Sequence, residues 1–279
     1  MSVERDIFRS GSTTYYWSSK LFPIGVRDDV FKLYSFVRVV DDFVDQIPSE
    51  IDRFQRMVKR WQEAKKDLAS FRARDGSVDE RVLQNIAYIV HRYDCDPEWV
   101  DSFLASMQMD VDQREYKTLN DTLEYIYGSA EVIGLFMAKI LRLPEESHHS
   151  AMMQGRAMQF INFIRDIAED NQLDRQYFPA DDLKKHSLKN LTRDETFKKP
   201  EAYTAFMSEQ LARYEEWQSE ADKGMKYIPK RMRIALKTAI EAYNWTGEQV
   251  KKDPFVVYEK KVKPSKKHLF RSSIKNSIR

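Results

Sequence analysis

The sequence predicts an all-α protein, and three observations carry this. Glycine is scarce, with 8 in 279 residues, and prolines number 9. Alternating apolar runs bounded by glycine-rich turns, the mark of strands, are nearly absent. Apolar residues recur instead at +3 and +4 over long stretches, the period of a helix packed along one face.

In order, residues 10–23 are rich in hydroxyl and aromatic side chains and end at Pro23, which reads as a short helix or loop leading to Arg27. A helix over 27–46 stops before Pro48, and Phe31, Leu33, Phe36, Val37, Val40, Phe43 and Val44 mark it as buried on most sides. An amphipathic helix over 50–71 follows, then a charged turn at 72–76 and a helix from Asp79 to about Arg92. Asp96-Pro97-Glu98 has the form of an N-cap with proline at the first helical position, opening a helix to about Asp112. Asn120 is expected to cap a helix running to Leu141, in which Gly128, Ser129, Ala130 and Gly134 permit close approach of another backbone or of a flat apolar ligand. Pro144 ends it, and a long helix runs from about Glu145 to Asn171. Residues 174–198 read as an irregular polar connection, helices near 200–222 and 230–249 complete the set, and Pro254 opens the tail.

Two of these helices carry an unusual polar face. Gln159, Asn162, Asp166 and Asp170 recur at +3, +4 and +4, and Tyr34, Arg38, Asp41 and Asp45 at +4, +3 and +4. Side chains so spaced stack about 5–6 Å apart at Cβ, so the paired carboxylates repel. A solvated acidic face, or an ion pair of Arg38 with Asp41 and Asp42, would account for each alone. Carboxylates in so apolar a helix are costly unless paired, hydrogen-bonded or metal-bound. One explanation serves both faces: carboxylates that hold Mg²⁺, beside arginines (Arg38, Arg165) that hold phosphate oxygens. The faces lie 125 positions apart (166 − 41), which suits opposite walls of one cavity.

Composition narrows the alternatives. The 46 basic and 44 acidic residues give a net charge of +2. From Lys251 to Arg279 there are ten basic residues against Asp253 and Glu259, a basic end that reads first as solvated and next as a membrane-surface contact. Nothing interleaves aromatic and basic residues in the manner of RNA binding, so no nucleic-acid partner is expected. Cys95 is the single cysteine, which leaves no internal disulfide and points to a reducing compartment. The N-terminus lacks a signal-peptide core, and no uncharged apolar run reaches the ~18 residues of a membrane span. A cytoplasmic protein, soluble or peripherally bound to membrane, is expected. No dinucleotide-binding or P-loop glycine motif occurs, nor a Gly-x-Ser-x-Gly nucleophile motif. Glu145-x-x-His148 has the spacing of a di-iron ligand pair but no second copy, and the five histidines are too dispersed for a zinc site.

At this point the motifs resemble a known family. Asp41-Asp-Phe-Val-Asp45 and Asn162-Phe-Ile-Arg-Asp166-Ile-Ala-Glu-Asp170 are similar to the two aspartate-rich motifs of the squalene/phytoene synthases, the head-to-head prenyl synthases. Ser18-Ser-Lys20-Leu-Phe22 resembles the family's N-terminal substrate segment, and Tyr34-x-x-x-Arg38 precedes the first motif as it does there. Tyr125-Ile-Tyr127-Gly128-Ser-Ala-x-x-x-Gly134 resembles its tyrosine helix, Asp174-Arg-Gln-Tyr177-Phe-Pro179 its Arg-x-Tyr-x-Pro segment, and Tyr243 sits where a late tyrosine falls. The likeness covers about Thr14 to Lys267. Three departures stand out: Glu131 replaces a glycine near the expected apolar cavity, Lys260 and Lys261 fall about where some members carry a diphosphate-binding arginine, and Ser18 stands where some have histidine.

The resemblance implies a single all-α isoprenoid-synthase domain over residues 1–279 around a central apolar cavity, with a basic tail from about residue 264. It implies Mg²⁺, three ions in the family, held by Asp41, Asp45, Asn162, Asp166 and Asp170. It places Ser18, Ser19, Lys20, Leu21, Tyr34, Arg38, Gln159, Arg165 and Tyr243 on the substrate. It makes Tyr125, Arg38 and Arg165 catalytic, with Tyr125 facing the reacting carbons. The expected reaction joins two allylic prenyl diphosphates 1-1′ through a cyclopropyl diphosphate. Two geranylgeranyl diphosphates giving phytoene, with NADPH not required, is preferred over two farnesyl diphosphates giving dehydrosqualene or squalene. A monomer or weak dimer is expected. A non-catalytic scaffold homologue is the alternative of another class; such a protein is expected to lose ladder residues, and here all are present.

Overall fold

The computed structural model describes residues 3–11, 19, 22–46, 49–113, 115–265, 268, 269, 271, 272 and 276. Among them all regular structure is helical, apart from one isolated parallel bridge between Glu115 and Gln176. The all-α expectation holds.

Helix α1 (Val3–Gly11) lies upstream of the first segment read from sequence, and the Glu4 carboxylate fastens it by accepting from Arg81 at 2.6 Å and Asn85 at 3.2 Å. Helix α2 (Ile24–Asp45) starts at Pro23, whose fixed φ suits a helix entry, and buries Val30, Leu33, Phe36, Val40, Phe43 and Val44. Helix α3 (Ile51–Ala64) is shorter than the 50–71 expected. The chain turns at Lys65, which pairs with Glu98 and Asp101, and Asp67 accepts the Ser70 N–H at 3.1 Å, a local bond that competes with the helical ladder. Helix α4 (Val78–Tyr93) is capped by Ser77 on the Glu80 N–H and ends at Asp94 in the left-handed region, φ 49°. Helix α5 (Glu98–Asp112) opens one residue later than expected, with Pro97 in the N-cap position, although Asp96 still accepts the Glu98 N–H at 2.9 Å.

Helix α6 (Leu119–Ile126) is capped by Thr118, not by Asn120. Thr118 and Asp121 form a reciprocal capping box, the stronger signal that Asn120 obscured. One π-helical turn, Tyr127–Glu131, then leads into α7 (Val132–Ile140). Here the small residues serve backbone approach. A Cβ on Gly128 would lie 2.1 Å from the Ser102 carbonyl oxygen, and one on Gly134 2.1 Å from that of Ala151.

A short 3₁₀ turn at Glu145–Ser147 precedes α8 (His148–Gln172), which crosses the π turn at Gly155; a Cβ there would lie 2.3 Å from the Ala130 carbonyl oxygen. The connection expected to be irregular over 174–198 contains α9 (Ala180–Lys185) and α10 (Arg193–Lys198), the second capped by Thr192. Both are too short for a helical period to show. Helix α11 (Pro200–Asp222) has proline at its first position, and a 3₁₀ turn over Lys223–Tyr227 leads to α12 (Lys230–Lys252), three residues longer than expected. Pro254 does not open a loose tail: Asp253 caps a 3₁₀ turn, Pro254–Tyr258, and Val256, Val257 and Val262 are buried.

Two cores result. One joins α2, α3, α4, α5 and α7 around Phe36, Trp61, Ile86, Phe103 and Phe136. The other joins α8, α11 and α12 around Phe160, Ile164, Phe206 and Leu211, with Tyr125 and Tyr177 at its edge. Helices α2 and α8, one from each core, carry the two acidic faces.

Candidate active site

The two polar faces meet. Arg175, in the turn after α8, reaches to α2: its Nη1 pairs with Asp45 and its Nη2 donates to the Val44 carbonyl at 3.0 Å. Its Nε lies 3.9 Å from Asp110 of α5. Tyr125 and Tyr177 donate to the two oxygens of Asp110 at 2.8 and 2.7 Å. Burial, reinforced by Asp166, Asp110 and Asp45, pushes the Asp170 carboxyl well above its usual range. Asp41 is pushed the same way by burial and then by Asp45, against the pull of Arg38. Carboxylates from α2, α5 and α8 thus share one region, in which Asp110 is buried and the α2 carboxylates are half-buried. Asp110 is raised to about 6, mainly by burial, against Arg175, Tyr177 and Tyr125.

Basic side chains hold this charge together. Arg38 lies 2.5 Å from Asp42 and 3.4 Å from Asp41. Arg165 makes a two-pronged contact with Asp166, at 2.8 and 2.5 Å. Lys261 is 3.4 Å from Asp166 and also pairs with Glu169. Lys263 is close by, its ammonium pushed down by partial burial and by Arg165 and Lys261. Tyr243 of α12, itself buried, lies within electrostatic reach of Tyr34 and Arg165.

Beside this region runs an apolar cavity of about 320 Å³, walled by α2, the π turn and α7, α8, and the segment from Ala221 to Ala239. Ser19, Tyr34, Gln159 and Asn162 give it polar positions on the wall. The Asn162 Oδ1 is buried without a hydrogen-bond partner. An orphaned buried amide oxygen among carboxylates is an all-oxygen donor set, the chemistry that suits a hard divalent cation. Among the described residues no three His, Cys, Asp or Glu side chains are drawn close enough together to hold such an ion as they stand. The residues fit a cation in donor type, while in this arrangement arginines and lysines supply the counter-charge.

The squalene/phytoene synthase family profile matches residues 8–268. The chain belongs to that family. Family membership makes the protein a prenyltransferase of the head-to-head type. A 15-cis-phytoene synthase of Paracoccus sp. (strain N81106 / MBIC 01143) is 27% identical over 259 residues, 92% of this chain and 84% of that protein. Another, of Enterobacter agglomerans, is 29% identical over 248 residues, 86% of this chain and 82% of that protein. Among solved structures, a dehydrosqualene synthase in complex with ligand superposes with a TM-score of 0.75 at 18% identity, covering 99% of this chain and 94% of that one. The squalene synthase HpnC from Alicyclobacillus acidocaldarius gives 0.76 at 18% identity, with 91% and 93% covered. The fold is that of the isoprenoid synthases. No described helix is long and apolar enough to cross a membrane.

Against the family pattern, the structure places the expected residues as follows. Ser19, Tyr34, Gln159 and Asn162 line the cavity, while Arg38, Asp41, Asp45, Arg165, Asp166 and Asp170 gather in the charged region next to it. Ser18, Lys20 and Leu21 lie outside the described residues. Tyr125 is 3% exposed and turns its hydroxyl to Asp110, among the rings of Tyr116, Tyr177 and Phe163, rather than onto the cavity wall. Glu131 does not intrude on the cavity: it points away, to Arg156 at 2.7 Å, whose guanidinium lies over Trp217. Lys261 stands next to the second acidic face.

Asp110 and Arg175 were missed from sequence as members of the region. A signal for Asp110 existed: Phe103, Met107 and Asp110 recur at +4 and +3, which puts a carboxylate on the buried stripe of α5. For Arg175, the resemblance marks it as the arginine of the Arg-x-Tyr-x-Pro segment, but nothing local says where its side chain goes; only the fold brings it to Asp45.

Proposed function

We propose that this prenyltransferase joins two geranylgeranyl diphosphates 1-1′, through a cyclopropyl diphosphate, to phytoene, with residues 1–279 working as one unit. The observation that supports this reading is the meeting of the α2 and α8 carboxylates beside an apolar cavity, in a chain similar over most of its length to phytoene synthases.

Mg²⁺, held by Asp41, Asp45, Asn162, Asp166 and Asp170, would supply Lewis-acid neutralisation of the departing diphosphate. The chain's own residues do the rest. Arg38 and Arg165 leave their present aspartate partners to donate to diphosphate oxygens, which stabilises the charge that grows as the C1–O bond breaks. Ser18, Ser19, Lys20, Leu21, Tyr34, Gln159 and Tyr243 position the diphosphate and the first part of its chain. The cavity walls exclude water, which would otherwise capture the allylic cation. The second substrate's double bond takes up that cation, a carbon–carbon bond forms, and loss of a proton closes the cyclopropane. Loss of the second diphosphate, rearrangement and a final proton loss give the hydrocarbon, with no reductant consumed. The Tyr125–Asp110–Tyr177 set braces the floor of the charged region.

Product identification by mass spectrometry tests the reading, using C15 and C20 diphosphates with and without NADPH. Phytoene from the C20 substrate without NADPH is the expected result. Dehydrosqualene or NADPH-dependent squalene from the C15 substrate would overturn the chain length or the terminating step. No diphosphate release with either substrate, and no thermal shift with Mg²⁺ and a substrate analogue, would identify a scaffold.

A further inference from the structure

Between Asp222 and Glu241 the chain holds Lys223, Lys226, Lys230, Arg231, Arg233 and Lys237 and no acid, although acids and bases are nearly balanced over the whole sequence. In the structure this segment has two faces. Met225, Ile228, Met232 and Leu236 line the apolar cavity, while Lys223, Lys226, Lys230 and Arg231 are exposed. Lys223 pairs with Glu220, but among the described residues no carboxylate pairs with Lys226, Lys230 or Arg231. These cations do not serve the helix they begin. The first turn of α12 contains no acid, so Lys230, Arg231 and Arg233 stand at the positive end of the helix dipole, where cations are unfavourable.

A second apolar turn flanks the same cavity. Phe22 lines it, and Ile24, two residues on, is 70% exposed, the most exposed large apolar side chain among the described residues. A cavity wall, exposed bases without acids, and an apolar side chain offered to solvent form the pattern of a surface that sits on anionic lipid: bases meet headgroups and the apolar residue enters the interface. Nucleic acid would use the bases but neither the exposed isoleucine nor the adjoining apolar cavity.

We propose that the exposed face of residues 223–233, together with Ile24, docks the protein onto an anionic lipid bilayer, holding the apolar cavity next to the membrane. This surface is distinct from the basic C-terminal end. It would let a long hydrocarbon chain pass between bilayer and cavity with little contact with water, a consequence that rests on the proposed function; the docking itself does not.

Vesicle sedimentation of the full chain, without metal or substrate, tests it whatever the product analysis shows. The wild type is expected to partition onto vesicles containing phosphatidylglycerol, less so as salt is raised, and only weakly onto pure phosphatidylcholine. The triple variant Lys226→Glu, Lys230→Glu, Arg231→Glu should lower that partition by about two orders of magnitude, since each base near an anionic surface contributes several-fold. Ile24→Ser should lower it by a smaller factor, and both variants should melt as the wild type does. Removal of residues 264–279 should leave most of the binding. Wild-type binding by the triple variant, equal partition onto both vesicle types, binding to a soluble polyanion such as heparin without binding to vesicles, or loss only on removing residues 264–279 would each overturn the proposal.

Discussion

The two acidic faces neutralise their charge in different ways. On α2 the compensation is nearly complete: Arg38 holds Asp41 and Asp42 from its own helix, and Arg175 holds Asp45 from across the site. On α8 it is uneven. Asp166 is held by Arg165 and Lys261, but among the described residues no base is in ion-pair contact with Asp170, and the Asn162 Oδ1 has no partner at all. The difference teaches that the C-terminal half of the α8 face is where an added cation would relieve the most unfavourable energy. The α2 face must first release an arginine.

The largest expected effect follows from the charge both faces supply. Asp166→Asn on α8 and Asp45→Asn on α2 should each lower turnover by about 10²–10³ or more, the loss seen when one key electrostatic group is removed, with the fold intact by circular dichroism. Full activity in either variant would break the comparison. Next, Arg175→Met leaves Asp45 and Asp110 without their shared counter-ion. Its side chain is 5% exposed, so a loss of about 3–5 kcal/mol is expected in urea unfolding. A loss below about 1 kcal/mol would show that surface-type pairing, not burial, governs the α2 side.

The pH dependence sharpens the same contrast. Asp110 has its folded-state pKa raised to about 6 from the usual 3.8. The unfolded chain therefore releases this proton first, so the contribution of Asp110 to folded stability is greatest at low pH and is lost as pH rises from about 4 to about 6. Asp41 and Asp170, also raised, act with the same sign. The metal-free melting temperature should drop across this window, and Asp110→Asn should flatten the drop. Mg²⁺ should do the same if it meets the α8 carboxylates. The smallest effect is expected for Lys261→Ala, whose partners are partly exposed: a change under about 1 kcal/mol in stability, with fold and cavity unchanged.

The long helices were legible in the sequence because each buries a stripe whose period exceeds the noise of composition. The boundaries that failed did so for identifiable reasons. Helix α3 ends at Ala64 through side-chain bonds of Lys65 and Asp67, without glycine or proline to announce it. Thr118 took the cap from Asn120 because Asp121 could answer it, and α9 and α10 are too short to show a period. For the site, spacing alone put four polar groups on each face, and the resemblance paired the faces. Spacing could not show that Arg38 and Arg165 sit on aspartates, nor that Arg175 crosses to α2, because those contacts depend on which helix ends the fold brings together.

The π-helical turn has a lasting consequence for what this scaffold can become. At Gly134 and Gly155 main chain lies directly on main chain, so at those two points the wall of the chamber has no side chain to trim. Any lineage that must house a longer or shorter hydrocarbon can reshape the chamber only around those points, through residues such as Phe22, Ile133, Met137, Met225 and Met232. Variation in product length should accordingly be recorded there, while the glycines stay fixed.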